Sequence, residues 1–157
     1  QYYDLESRNL GYYSTLQTNL SNYFRSIIID WLIDDKNKQD IKDNLSDYFN
    51  DKSSNNIKDF IFTMTRDVDT FTSGLIEYYT LNKIHKIPIS IYDESGNYIY
   101  IIDDGIIYDK KKHGDLSSNI KYSKYKTQQF IKESINIKYL LSSGSDIPTE
   151  IDVLYYK

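Results

Sequence analysis

The chain has 157 residues, 39% hydrophobic and 27% charged, and its 19 Lys and Arg against 23 Asp and Glu leave a net charge of −4. That length fits one domain with a real core, and the mild acidity argues against nucleic acid or an anionic membrane as the main partner. The absence of cysteine excludes a disulfide framework, a cysteine-ligated zinc site and a thiol nucleophile; with only His85 and His113, neither a histidine-rich metal site nor a cofactor is expected.

The first half reads as helical. Leu16, Leu20, Tyr23, Phe24, Ile27, Ile28, Trp31 and Leu32 recur at three- and four-residue spacing and paint one helix face, with Asn19 or Ser21 as candidate caps at its start. Ile41, Leu45, Tyr48 and Phe49 mark a second helix. A polar loop is expected from Asn50 to Asn56, and a third helix from Ile57 to about Thr65 on Ile57, Phe60, Ile61 and Met64. Thr72 to His85 reads as a fourth, capped by Thr72 or Ser73, with Leu75, Ile76, Tyr79 and Ile84 on its apolar side; Pro88 ends it. The period then changes. Ile89 to Tyr92 alternates as a strand, Asp93 to Asn97 carries turn chemistry, and Tyr98 to Ile102 returns as a hairpin. Ile106 to Tyr108 is a short third strand, Asp109 to Thr127 a basic polar loop, and Gln128 to Lys132 a short helix. Ile135 to Leu141 is a strand, Ser142 to Thr149 a loop, and Ile151 to Tyr155 closes the sheet. The expectation is a single α/β (α+β) domain over 1–157, a small, mainly antiparallel sheet packed against a helical first half.

No stretch approaches the roughly 20 apolar residues of a membrane span, and the run Ile27-Ile28-Ile29 is closed at once by Asp30. No signal peptide is visible, so an intracellular setting is expected. Because it opens at Gln1, the chain reads as part of a longer protein. Its 17 tyrosines accompany abundant Ile, Asn, Lys and Asp, all with AT-rich codons. An AT-rich genome (a large virus, an endosymbiont or a protist) explains them more simply than a tyrosine-lined recognition surface.

Three blocks, in order, set up a resemblance. Thr72-Ser73-Gly74-Leu75-Ile76-Glu77-Tyr78-Tyr79-Thr80-Leu81 followed by Pro88-Ile89-Ser90-Ile91-Tyr92 parallels, without a gap, a W-G-G-x-x-E-L-x-A-L-A stretch followed by P-I-x-I. Asn19-Leu20-Ser21-Asn22-Tyr23-Phe24-Arg25-Ser26-Ile27 parallels D-G-N-C-L-F-R-S-I at the head of a long helix. Glu150-Ile151-Asp152-Val153-Leu154-Tyr155 parallels a closing strand that opens H-Y-D. From Asn19 to Tyr155 the chain thus resembles the OTU (ovarian-tumour) cysteine proteases, which act on ubiquitin or ubiquitin-like modifiers.

The resemblance also says what has been lost. Its triad positions fall on Asn22, Glu150 and Asp152, with Asn19, Ser21, Thr72, Ser73 and Gly74 beside the cleft. An amide at 22 is no nucleophile, and an ordinary glutamate, with a pKa of about 4.3, is a poor base near neutrality. Only Asp152 keeps its family role. Ser14, Ser21 and Ser26 lie near the thiol position, but serine needs a base such as histidine, and His85 and His113 fall elsewhere, as surface residues. Glu150 and Asp152 could form a carboxylate dyad or ligate metal, yet no further ligands are evident, and Asp34-Asp35 and Asp103-Asp104 lack calcium-loop spacing. Lys110-Lys111-Lys112 could meet an acidic partner but reads as a solvated loop.

The expected function is therefore a catalytically inactive OTU-like pseudoprotease. It would act as an interaction or scaffold module, with ubiquitin, a ubiquitin-like protein or other domains of a larger assembly as partners. The alternatives are an active hydrolase with another nucleophile, or an engineered inactive protease; the combination of Asn22, Glu150 and Thr72 looks like natural drift, since a designed knock-out usually uses alanine or serine.

Overall fold

The structure, a computed structural model, describes residues 2–49, 57–66, 74–116, 118, 120–141 and 148–154. The chain divides into two compact units, Gln1–Thr72 and Ser73–Lys157. The first is helical and the second is built on a sheet, so the class is α+β.

In the first unit, helix α1 (Tyr2–Ile33) is followed by a 3-10 turn (Asp35–Asn37), α2 (Lys38–Phe49) and α3 (Ile57–Arg66). Two short side chains manage the break after α1. Asp34 accepts the Lys36 N–H at 3.0 Å, and the Asn37 amide donates to the Trp31 carbonyl at 2.9 Å, satisfying one of the carbonyls a helix end leaves open. The core of the unit is Ile28, Leu32, Ile41, Leu45, Phe49 and Phe60, with Phe49 and Phe60 edge to face at 5.8 Å. Two expectations are corrected here. Helix α1 begins at Tyr2, so Asn19 and Ser21 are interior positions and not caps. Its eight-residue apolar stripe is also not one core face, because Leu16, Leu20, Tyr23 and Phe24 are exposed while Ile28 and Leu32 are buried. The loop expected at Asn50 to Asn56 lies outside the described residues.

In the second unit, α4 (Leu75–His85) precedes β1 (Ile89–Tyr92), β2 (Tyr98–Asp103) and β3 (Ile106–Asp109). Then come α5 (Lys110–His113), a 3-10 run (Ile120–Lys126), α6 (Gln128–Glu133), β4 (Ile135–Leu141) and β5 (Pro148–Leu154). The five strands lie in the order β3-β2-β1-β4-β5. Only β1 and β4 pair in parallel, so the sheet is mixed and mainly antiparallel. β1 is the middle strand, and all four of its residues are buried. This is why Ile89-Ser90-Ile91-Tyr92 carries no exposed polar face. Asp93 folds the first hairpin by accepting the Ser95 and Asn97 N–H groups, each at 2.9 Å. Asp104 and Gly105, with φ of 49° and 70°, make the two-residue turn between β2 and β3. Asn82 of α4 holds that turn. Its carbonyl oxygen accepts the Gly105 N–H at 2.9 Å, and its amide donates to the Ile87 carbonyl at 2.8 Å.

The segment expected to be a loop, Asp109 to Thr127, instead folds as α5 and the 3-10 run. Periodicity missed it because its anchors, Leu116, Tyr122 and Tyr125, are spaced irregularly among lysines. All three are buried, in a cluster with Tyr92, Tyr98 and Ile101. Hydroxyls in that cluster need partners. Tyr92 donates to Asn136 Oδ1 at 2.8 Å and Tyr98 donates to the Tyr125 carbonyl at 2.5 Å. Each hydroxyl has one proton, so the 3.3 Å approach of Tyr92 to Tyr98 carries none when those two bonds are made. Asn136 spends its amide protons on the Ile131 and Ser134 carbonyls, closing the turn from α6 into β4. Most of the described tyrosines here are core, not a recognition surface.

Candidate functional site

The positions that the sequence resemblance sets against the OTU nucleophile block lie on α1. Asn19, Ser21 and Asn22 are exposed there, about twenty residues into an unbroken helix. An activated nucleophile at a helix head gains from the partial positive charge and free N–H groups of the first turn. Position 22 has neither, so the expected head-of-helix setting is absent. Ser26 spends its hydroxyl on the Tyr23 carbonyl at 2.7 Å, a helix back-bond. Ser14 has no described side chain.

The remaining positions belong to the second unit or its approach. Thr72 and Ser73 lie outside the described residues, and α4 begins at Leu75 with Gly74 as its cap. Gly74 offers no side chain, so capping comes from Glu77, whose Oε2 accepts the Gly74 N–H at 2.7 Å. Glu77 is buried, and its charge also suits the helix N-terminus. Its match to the family's glutamate therefore has a structural role. Glu150 and Asp152 lie two apart on β5, in backbone register with Leu140 and Lys138. The structure thus leaves Asn22 in one compact unit and Glu150 and Asp152 in the other.

Other candidates resolve into structural roles. Asp34 caps the 3-10 turn, and Asp103 pairs with Lys124 at 2.9 Å. Lys110 to His113 form α5, which Asp109 caps by accepting the Lys111 N–H at 2.7 Å. His85 is exposed as expected. His113 is not the surface residue expected: it is half-buried, edge-on to Tyr108 at 5.7 Å, with Nδ1 accepting the Asp109 N–H at 3.1 Å. Among the described residues no three His, Asp or Glu converge as metal ligands.

What the sequence did not single out is the outward face of α1. Every residue from Thr15 to Phe24 is exposed. Leu16, Leu20, Tyr23 and Phe24 are 39%, 45%, 59% and 37% exposed. At about 100° per residue they fall within roughly 100° of arc, and Asn22 lies on the far side of the helix. A shallow furrow lined by Leu16, Gln17, Leu20, Ser21 and Phe24 runs along this face. A signal was present in the sequence: from Asn9 to Phe24 there is no charged residue, whereas a solvated helix face normally carries charges.

No family model matches the chain, and no solved structure does. The chain is similar to the uncharacterized protein R327 of Acanthamoeba polyphaga mimivirus, 38% identical over 158 residues. The match covers 99% of this chain and 9% of that protein, so the chain spans a small part of its relative's length. Among the described residues no helix is long and apolar enough to cross a membrane.

Proposed function

We propose that the chain is a catalytically inactive, OTU-type protein-interaction module, part of a longer viral protein acting inside a host cell, and that it holds protein partners through α1. The observation that carries this reading is the exposed apolar row Leu16, Leu20, Tyr23 and Phe24. Contiguous exposed apolar surface on a folded domain marks an interaction site more often than chance. The chemistry agrees. The chain has no thiol, and position 22 has no helix-head environment. Ubiquitin or a ubiquitin-like protein is the ligand class that the resemblance implies.

The test is a titration of isotope-labelled ubiquitin with the chain and with its Leu20→Lys variant, alongside a fluorogenic ubiquitin hydrolysis assay. Saturable shifts that the variant loses, with no turnover, support the reading. Turnover that disappears on changing Ser21 or Glu150 would overturn it in favour of an active hydrolase.

A further inference from the structure

We infer that the Asp104–Gly105 step is a covalent modification site, the place where this chain forms isoaspartate, and that Asn82 of α4 holds the reaction off. In an Asp-Gly step the glycine's backbone nitrogen can attack the carboxyl carbon of the aspartate. The bond from the glycine nitrogen to Cγ forms, a Cγ–O bond breaks, and the nitrogen's proton leaves with that oxygen as water. Water then opens the five-membered succinimide at either carbonyl. One opening returns aspartate; the other gives isoaspartate, whose main chain runs through the former side-chain methylene. No oxidant or cofactor is needed. Glycine favours the attack because no side chain shields the nitrogen. Asp104–Gly105 is the one Asp-Gly step in the sequence, and Asn-Gly does not occur.

The fold treats the two reacting groups differently. Asp104 is exposed, so its carboxyl is open to solvent. The Gly105 N–H instead donates to Asn82 Oδ1 at 2.9 Å. Asn82 is only 1% exposed, and its own amide is fixed on the Ile87 carbonyl at 2.8 Å. The next residue of α4 closes in as well. A Cβ added at Gly105 would stand 2.8 Å from Lys83 Cδ, so the Lys83 stem lies against the glycine. A backbone nitrogen attacks only after shedding its proton, and an N–H held by a buried acceptor sheds it when the turn opens locally. Asn82 therefore sets the reaction's rate through that opening. The modification would matter to the sheet. An extra main-chain atom in a two-residue turn cannot keep Asp103 in register with Ile106. β3 is an edge strand, and it carries Tyr108, which packs on the buried tyrosine cluster.

The experiment ages the whole chain in warm, mildly acidic buffer and locates isoaspartate by peptide mapping with isoaspartyl-methyltransferase labelling. The parent is compared with itself in guanidinium chloride and with two variants, Asn82→Ala and Asn136→Ala. Asn136→Ala loosens the same unit without touching the turn, since its hydrogen bonds go to Tyr92, Ile131 and Ser134. Circular dichroism checks folding, and hydrogen exchange follows the Gly105 amide. The expected result is isoaspartate at 104 in the unfolded chain and little in the folded parent. Folded Asn82→Ala should form it roughly tenfold faster than the parent, the factor that the net strength of one hydrogen bond sets, while Asn136→Ala stays near the parent. Equal rates in folded and unfolded parent, or an equal rise in both variants, overturns the inference. If Asn82→Ala does not fold, the parent's Gly105 amide decides. Slow exchange there supports the guard, and exchange as fast as an open amide overturns it.

Discussion

The Tyr92 hydroxyl donates to Asn136 Oδ1 at 2.8 Å, so the middle strand and its parallel neighbour are joined by side chains as well as by backbone. Both residues are buried, at 7% and 2% exposure. Asn136→Ala leaves the Tyr92 hydroxyl and the Ile131 and Ser134 carbonyls without that partner, and is expected to cost about 2–4 kcal/mol. Tyr92→Phe leaves one acceptor unmet and costs about 1–2 kcal/mol. Urea denaturation of the two variants measures both.

The neighbouring residue on β1 gives the opposite sign. The Ser90 hydroxyl is fully buried and makes no hydrogen bond among the described residues. Ser90→Ala removes an unpaired polar atom from the core and is expected to stabilise the fold by about 1 kcal/mol. A denaturation midpoint below that of the parent chain contradicts this.

Alkaline pH should unfold the second unit in a defined window. Burial, reinforced by the negative charge of Glu77, pushes the Tyr78 hydroxyl up to about 12. Burial also raises Tyr139, which donates to Tyr78, and Tyr125. Each folded-state pKa lies above the unfolded value near 10, so the stabilisation is present below pH 10. For Tyr78 it is lost between pH 10 and 12, at roughly 1.4 kcal/mol per pH unit. Stability measured at pH 8, 10 and 11 should be flat, then fall, and Tyr78→Phe should shallow the fall.

Introducing the OTU-type triad residues at the positions the resemblance assigns should not create an enzyme. Asn22→Cys with Glu150→His supplies a thiol and an imidazole, but position 22 remains deep within α1. The new thiol is expected to behave as an ordinary exposed cysteine, with alkylation following ionisation near pH 8.5. Ubiquitin-derived substrates should stay intact. A sharply acid-shifted alkylation profile sinks this prediction.

The exposed row of α1 and the core of the first unit should respond differently to substitution. Leu20→Lys, at an exposed position, should leave monomer stability within about 0.5 kcal/mol. Leu45→Ala, fully buried on α2, should cost about 2–5 kcal/mol. Equal losses would mean that the α1 row is packed within the folded chain.

Much of this architecture is legible in the residues. The change of period after Pro88, the turn chemistry at Asp93 to Asn97 and the run of Ile and Tyr from Ile135 give β1, β2 and β4 almost to the residue, because β-branched and aromatic residues bounded by turn residues mark strands. The folding of 109–127 was hidden because its buried tyrosines follow no period and sit among lysines. The start of α1 was hidden for a different reason. A cap is recognised from a residue type, and Asn19 and Ser21 are also tolerated inside a helix. The exposed row was misread because an apolar stripe left open to solvent and one packed into a core have the same spacing. Only the amount of apolar surface facing it decides between them, and it leaves Ile28 and Leu32 buried while Leu16, Leu20, Tyr23 and Phe24 are exposed.

The sheet order has a consequence for how the second unit assembles. β1, β2 and β3 are joined by tight turns and can zip as they form, whereas β4 must return across the whole of α5, the 3-10 run and α6 to lie against β1. Closing that distance comes late and slowly. On the ribosome, the finished three-strand meander therefore waits with the β4-facing flank of β1 bare. During that interval a newly made chain is at its most vulnerable to sticking to its neighbours.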